Sequence, residues 1–156
     1  MIARRMVLAA ITALALAASP ARAASPITVT DAWSRATIPG MTEGVVYLTL
    51  HNAGPADALL RAATPVAGQA SLHVSRDVNG VMTMRAVPQL ALPQNASVAL
   101  APDGYHIMLS GITKPLAAPA SFPLTLYFAH AAPLTVAVTV RPLGAAAPMP
   151  SMPGMK

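Results

Sequence analysis

From Ile27 onward the apolar and polar residues alternate with a period of two, and Pro, Gly, Asn and Asp interrupt the alternation at short intervals. Within Val45-Val46-Tyr47-Leu48-Thr49-Leu50, Val46, Leu48 and Leu50 share one face, while Tyr47 and Thr49 share the other. Further on, Leu134, Val136, Val138 and Val140 alternate with Thr135, Ala137, Thr139 and Arg141. Such segments are half-buried strands with a core face and a wetter face. The pattern predicts strands over 27–31, 44–51, 59–65, 70–78, 81–87, 96–100, 104–110, 122–130 and 134–141. No segment carries a long helical period, so the chain is expected to be all-β, a β-sandwich or Greek-key β-barrel.

Asp77-Val78-Asn79-Gly80 predicts a tight hairpin, because Asn-Gly readily takes the positive φ values of a type I′ turn. It brings 70–78 beside 81–87. His73 lies on the first arm, and Met82 and Met84 share a face of the second. A thioether therefore comes near His73 across the hairpin. A turn alone does not set the cross-strand register, so Met82 and Met84 remain rivals for that position.

The two ends of the chain read differently. Arg4 and Arg5, the apolar run from Met6 to Ala18 and Ala21-Arg22-Ala23 have the form of a secretory leader cleaved after residue 23. The apolar run is shorter than the roughly 20 residues a membrane span needs, so a soluble exported domain is expected over 24–143, without stable membrane insertion. From 144 to 156 the β pattern gives way to a small, Pro-rich tail in which Met149, Met152 and Met155 recur every third residue. In a polyproline II conformation these three would line one side, as a soft-metal arm.

Charge and composition narrow the function classes. Of ten Lys and Arg, Arg4, Arg5 and Arg22 lie in the leader, leaving seven against five Asp and Glu and a thin net charge of +2. There is no basic run for nucleic acid, and three Tyr, two Phe and one Trp make a poor stacking surface. Zero Cys excludes disulfides, thiolate metal ligation and a lipid-bearing cysteine within these residues. With no nucleophile elbow and no evident carboxylate pair, an enzyme is not expected.

The remaining chemistry concentrates on Tyr105-His106-Ile107-Met108-Leu109-Ser110, where a strand places His106 and Met108 on one face. An imidazole suits several transition metals, whereas a thioether is a soft donor that favours Cu(I). His51 and His130 stand at strand edges before turns, Met41 lies in a loop, and Trp33 and Arg35 are expected to be structural.

His73, Met84 after ten intervening residues, and His106-x-Met108 after twenty-one more resemble the copper-binding pattern of the PCuAC (DUF461) periplasmic copper chaperones. Asp31-Ala32-Trp33-Ser34-Arg35-Ala36, Tyr47-Leu48-Thr49-Leu50, Leu72-His73, Gly80-Val81-Met82-Thr83-Met84-Arg85 and Gly104-Tyr105-His106-Ile107-Met108 resemble family blocks in family order. The resemblance implies a cupredoxin-like Greek-key barrel that holds one Cu(I) with His73, Met84, His106 and Met108. It also implies periplasmic delivery of copper towards haem-copper oxidases, directly to an oxidase subunit or through a thiol-bearing assembly partner. Family tails often mix His and Met; here only Met is present, which favours Cu(I) and leaves Cu(II) open. A monomer is expected. Two alternatives are a periplasmic copper buffer without a dedicated acceptor, and a β-sandwich interaction module that binds no metal.

Overall fold

The computed structural model describes residues 25–144. The leader expected over 1–23 and Met149, Met152 and Met155 of the tail lie outside the described residues. Ten strands follow one another: β1 (Ile27–Arg35), β2 (Glu43–Asn52), β3 (Asp57–Ala63), β4 (Gln69–Val78), β5 (Val81–Ala86), β6 (Leu90–Leu92), β7 (Ala96–Leu100), β8 (Tyr105–Ser110), β9 (Ser121–Phe128) and β10 (Leu134–Arg141). The described residues contain no helix.

The strands β4, β8, β2, β1, β10, β9 and β3 pair in that order, and β3 returns to β4 through the single register pair Ala62 and Ala70, closing a barrel. Three strands hang on this ring: β5 on β4, β6 on β3, and β7 on β2. The far edge of β2 is shared, with its first half pairing to β8 and its second half to β7. Closure leaves few free edges, and β5 is the long strand at the end of the order.

The ring is filled by the apolar face of each strand. Leu50, Leu59, Ile107, Leu109, Leu124 and Leu126 expose no surface, and burying each such side chain stabilises the fold by roughly 1.5–3 kcal/mol. Val46, Leu48 and Leu50 lie in this core as the alternation of β2 predicts. Tyr47, on the opposite and nominally wetter face, is also buried, because it packs against Trp33 with ring centroids 4.8 Å apart.

Four elements differ from expectation by two residues or more, among them β3, which runs over Asp57–Ala63 rather than 59–65. The β6 segment was not anticipated, since a three-residue strand in the stretch between Pro88 and Pro93 is too short to show a period. The β9 strand stops at Phe128, before His130. The first strand continues beyond residue 31 because it contains a bulge: pairing shifts between Thr30 and Trp33, and Asp31 takes a φ of 51°. One extra residue reverses which face the following side chains occupy. Thr30 opposite Thr49 and Trp33 opposite Tyr47 thus share the outer face, and Ser34 turns inward to become fully buried.

Candidate metal centre

The antiparallel register of β4 and β8 places His73 directly opposite His106. Their ring centroids are 6.0 Å apart and the planes are inclined by 40°. One repeat along β8, Met108 stands opposite Ser71 of β4 and Val45 of β2. One repeat in the other direction along β4, Ser75 faces Met84 of β5; a second repeat brings Asp77 opposite Met82. All these positions alternate with core residues Leu72 and Ile107, so they share the outward face of the sheet. The hairpin register that was open in the sequence therefore puts Met84 next to the histidine row and Met82 one step further out. The turn itself is as expected, with Asn79 at φ 55°, Gly80 at φ 81° and the Gly80 N–H donating to Asp77 Oδ1 at 2.7 Å.

The imidazoles are prepared on one side and open on the other. His106 is 3% exposed, and its Nδ1 lies 3.1 Å from the Gly104 carbonyl oxygen. A carbonyl only accepts, so this nitrogen carries the proton and Nε2 keeps its lone pair. His73 Nε2 lies 3.1 Å from Ser71 Oγ. When the imidazole donates this bond, the lone pair is on His73 Nδ1. His73 Nδ1 and His106 Nε2 are both buried and have no hydrogen-bond partner among the described residues. Buried polar atoms normally have partners, and two unpartnered nitrogens on facing imidazoles suit a ligand held between them. A metal bonded about 2.0 Å from one nitrogen of each ring lies roughly 3 Å from each centroid, which matches the spacing of the pair.

The wall behind His106 is aromatic. Tyr47 lies 6.5 Å from His106 between ring centroids, Trp33 packs behind Tyr47, and the Arg141 guanidinium sits 4.9 Å from the Trp33 ring centre. Trp33, Tyr47, His106 and His73 thus form one row across the consecutive strands β1, β2, β8 and β4. Burial raises the Tyr47 phenol above its ordinary pKa, with Arg35 opposing and Asp103 adding to the shift. The supporting roles of Ser71, Gly104 and Tyr47 were missed in the sequence. Ser71 and Gly104 each stand two residues before a histidine, on the same face by strand period, and that spacing is the signal that marks them.

The other histidines are occupied elsewhere. Both ring nitrogens of His51 meet hydroxyls, Ser97 Oγ at 2.6 Å and Thr30 Oγ1 at 3.1 Å. His130 is an exposed turn residue whose Nδ1 lies 3.2 Å from Asp57. Among the described residues no three His, Asp or Glu side chains converge as a metal site, and Met84 and Met108 stand one strand repeat to either side of the His73–His106 pair. Surface clefts of about 410 and 290 Å³ are lined by none of these side chains. The histidine pair lies on the outward face of the sheet, outside both clefts.

Residues 27–140 match the family described as "Putative lipoprotein LpqE-like". "Putative lipoprotein Lxx21020" of Leifsonia xyli subsp. xyli (strain CTCB07) is 34% identical over 129 residues, covering 81% of this chain and 76% of that protein. The chain belongs to the LpqE-like family. Among solved structures it is similar to a copper-bound PCuAC domain from PmoF2, with a TM-score of 0.65, 23% identity, and 75% of this chain and 93% of that one covered. It is also similar to the solution structure of CuI-DR1885 from Deinococcus radiodurans, with a TM-score of 0.60, 33% identity, and coverage of 74% and 78%. The all-β, cupredoxin-like class expected from the sequence is the fold observed. The family's name describes lipoproteins, but these 156 residues contain no Cys to bear a lipid.

Proposed function

We propose that this chain is a periplasmic Cu(I) carrier that binds one ion with His73, His106, Met108 and Met84 and passes it towards the copper centres of haem-copper oxidases. The observation that carries the reading is the pair of facing imidazoles whose buried nitrogens lack partners. Thioethers stand one strand repeat to either side of them. Similarity to copper-bound domains of the same fold supports it.

The donor set suits carriage. Imidazole and thioether are neutral, so the ion keeps its single positive charge, and soft sulfur favours Cu(I) over Cu(II). The Gly104 carbonyl and the Ser71 hydroxyl hold the two rings in place, as supporting partners of metal-bound histidines do. Without thiolates the hold is moderate, and an acceptor with a Cys pair or a Met cluster replaces the ligands one at a time. The protein binds and releases; it makes and breaks no bond in an organic substrate. Export rests on the leader-like residues 1–23 and on the lipoprotein description of the family. The described residues contain no helix long and apolar enough to cross a membrane. The acceptor is an oxidase subunit or a thiol-bearing assembly protein, and the carrier works as a monomer. The Met149, Met152 and Met155 arm supplies at most an auxiliary site.

The test is an anaerobic Cu(I) competition titration against a chromogenic chelator, beside a His73→Ala, Met84→Ala, His106→Ala, Met108→Ala variant whose folding is checked by circular dichroism. One tight equivalent is expected in the native chain. The folded variant should lose far more affinity than the roughly 10–100-fold that loss of a supporting contact costs. Equal binding by both proteins overturns the assignment.

A further inference from the structure

We propose that Met82 is a transfer ligand, an outer station at which Cu(I) is received before it moves inward to Met84 and the imidazoles. The inference rests on the Cu(I)-carrier reading above and adds a route to it.

The soft and nitrogen donors form a graded series on one face. Met82 opposite Asp77, Met84 opposite Ser75, and His73 opposite His106 are successive positions two residues apart, about 6.6–6.8 Å per step along a strand. Met82 is 56% exposed and Met84 53%, whereas His106 is 3% exposed. An ion bonded about 2 Å from the imidazole nitrogens lies one repeat from Met84 and two from Met82. Of the two β5 methionines, Met84 is therefore the one placed to share the ion with the histidines, and Met82 stands one repeat further out.

Packing does not account for Met82. Every residue of β5 is exposed, and β5 pairs only with β4, so its second edge and its methionine-bearing face are uncovered among the described residues. Met82 and Met84 are exposed together on this face, and adjoining exposed apolar side chains mark a contact surface rather than a core position. Asp77, opposite Met82, adds a carboxylate beside the arriving cation, and its Oδ1 is anchored by the Gly80 N–H. Arg76 and Arg85 lie on the other face of the hairpin, together with Val74 and Tyr105, so neither guanidinium shares the methionine face.

The step is a ligand exchange. One Cu–S bond to a thioether-bearing donor breaks as a Cu–S bond to Met82 forms. A second exchange then replaces Met82 by Met84, and the imidazoles complete the set. The metal remains Cu(I), and no proton moves, because a thioether has none to lose. Release to a softer or more numerous sulfur donor follows the same positions outward.

The experiment uses the full chain with Met82→Leu, a substitution that keeps the apolar volume and removes sulfur, and compares it with Met84→Leu. Equilibrium Cu(I) affinity is measured by chelator competition, and uptake from a Cu(I)-loaded synthetic Met-rich peptide is followed anaerobically by stopped flow. Met82→Leu should leave affinity unchanged and slow uptake roughly tenfold, the low end of what loss of a metal-supporting group costs. Met84→Leu should weaken affinity. A fall in affinity on Met82→Leu equal to that of Met84→Leu makes Met82 a resident ligand and overturns the proposal. Unchanged affinity with unchanged uptake makes it a bystander and also overturns it. A native chain that binds no Cu(I) overturns the carrier reading itself, a separate outcome that appears before any variant is compared.

Discussion

A histidine becomes a metal ligand only when one ring nitrogen is held and the other is free, and here two short polar contacts do this. The Gly104 carbonyl assigns the proton of His106 to Nδ1, and the Ser71 hydroxyl engages His73 Nε2. Ser71→Ala removes the second contact but no proposed ligand. The ring then loses its fixed orientation, and Cu(I) affinity should fall by about 10–100-fold while the apo protein melts near the native temperature. Chelator competition beside a thermal melt checks this. An equal affinity would mean that strand packing alone orients His73. At this scale His73, His106, Met108 and Met84 were candidates in the sequence through their resemblance to a copper-binding family pattern, and the structure brings the two histidines face to face. Ser71 and Gly104 were not candidates, because their roles follow from hydrogen bonds that small residues make only in a particular local geometry.

Among the elements, the hairpin from β4 to β5 decides which thioether lies nearer the histidine pair. Asn79 and Gly80 both have positive φ, and beyond their turn the two strands pair with Met84 opposite Ser75. A Cβ on Gly80 meets open space, so Gly80→Ala is penalised by backbone conformation alone, by roughly 1–2 kcal/mol. Because β5 is bound to the barrel only through β4, the loss should be local. Amide exchange of β5 should quicken about tenfold, the equivalent of 1.4 kcal/mol, with β8 unchanged. Acceleration spread equally over β8 would show that the hairpin and the ring open together. The turn was readable from Asn-Gly, but the bulge in β1 was not. Asp31 is one of the residue types that tolerate a left-handed φ, yet most do not adopt it, and nothing in the local pattern says that the alternation reverses there. That reversal brings Trp33 to Tyr47 and completes the wall behind His106.

For the whole molecule, closure of the barrel depends on contacts between distant segments. Asp57, at the start of β3, accepts the N–H groups of Ala58, His130 and Ala131, tying β3 to the turn after β9. Burial pushes its carboxyl pKa up, but the Ala131, Ala58 and His130 backbone N–H groups and the His130 ring outweigh this and hold it below the ordinary 3.8. A carboxylate whose folded pKa is depressed contributes stability above the unfolded value and loses it as pH falls through the folded one. The difference in denaturant stability between the native chain and Asp57→Asn should therefore be full above about pH 5 and close as the pH drops below the ordinary aspartate value. A gap that persists to pH 2 would assign the effect to shape rather than charge.

Alternation, turn chemistry and the absence of Cys were enough by themselves to determine an all-β chain, most of its strands, and the exclusion of thiolate ligands within these residues, since each is a local property of residue type and period. Tertiary structure alone decided that His73 and His106 face one another, that Met84 rather than Met82 adjoins them, and that His51 and His130 are occupied elsewhere. Those outcomes depend on cross-strand register and on which distant side chains reach a ring nitrogen, and both are set by how the closed barrel packs.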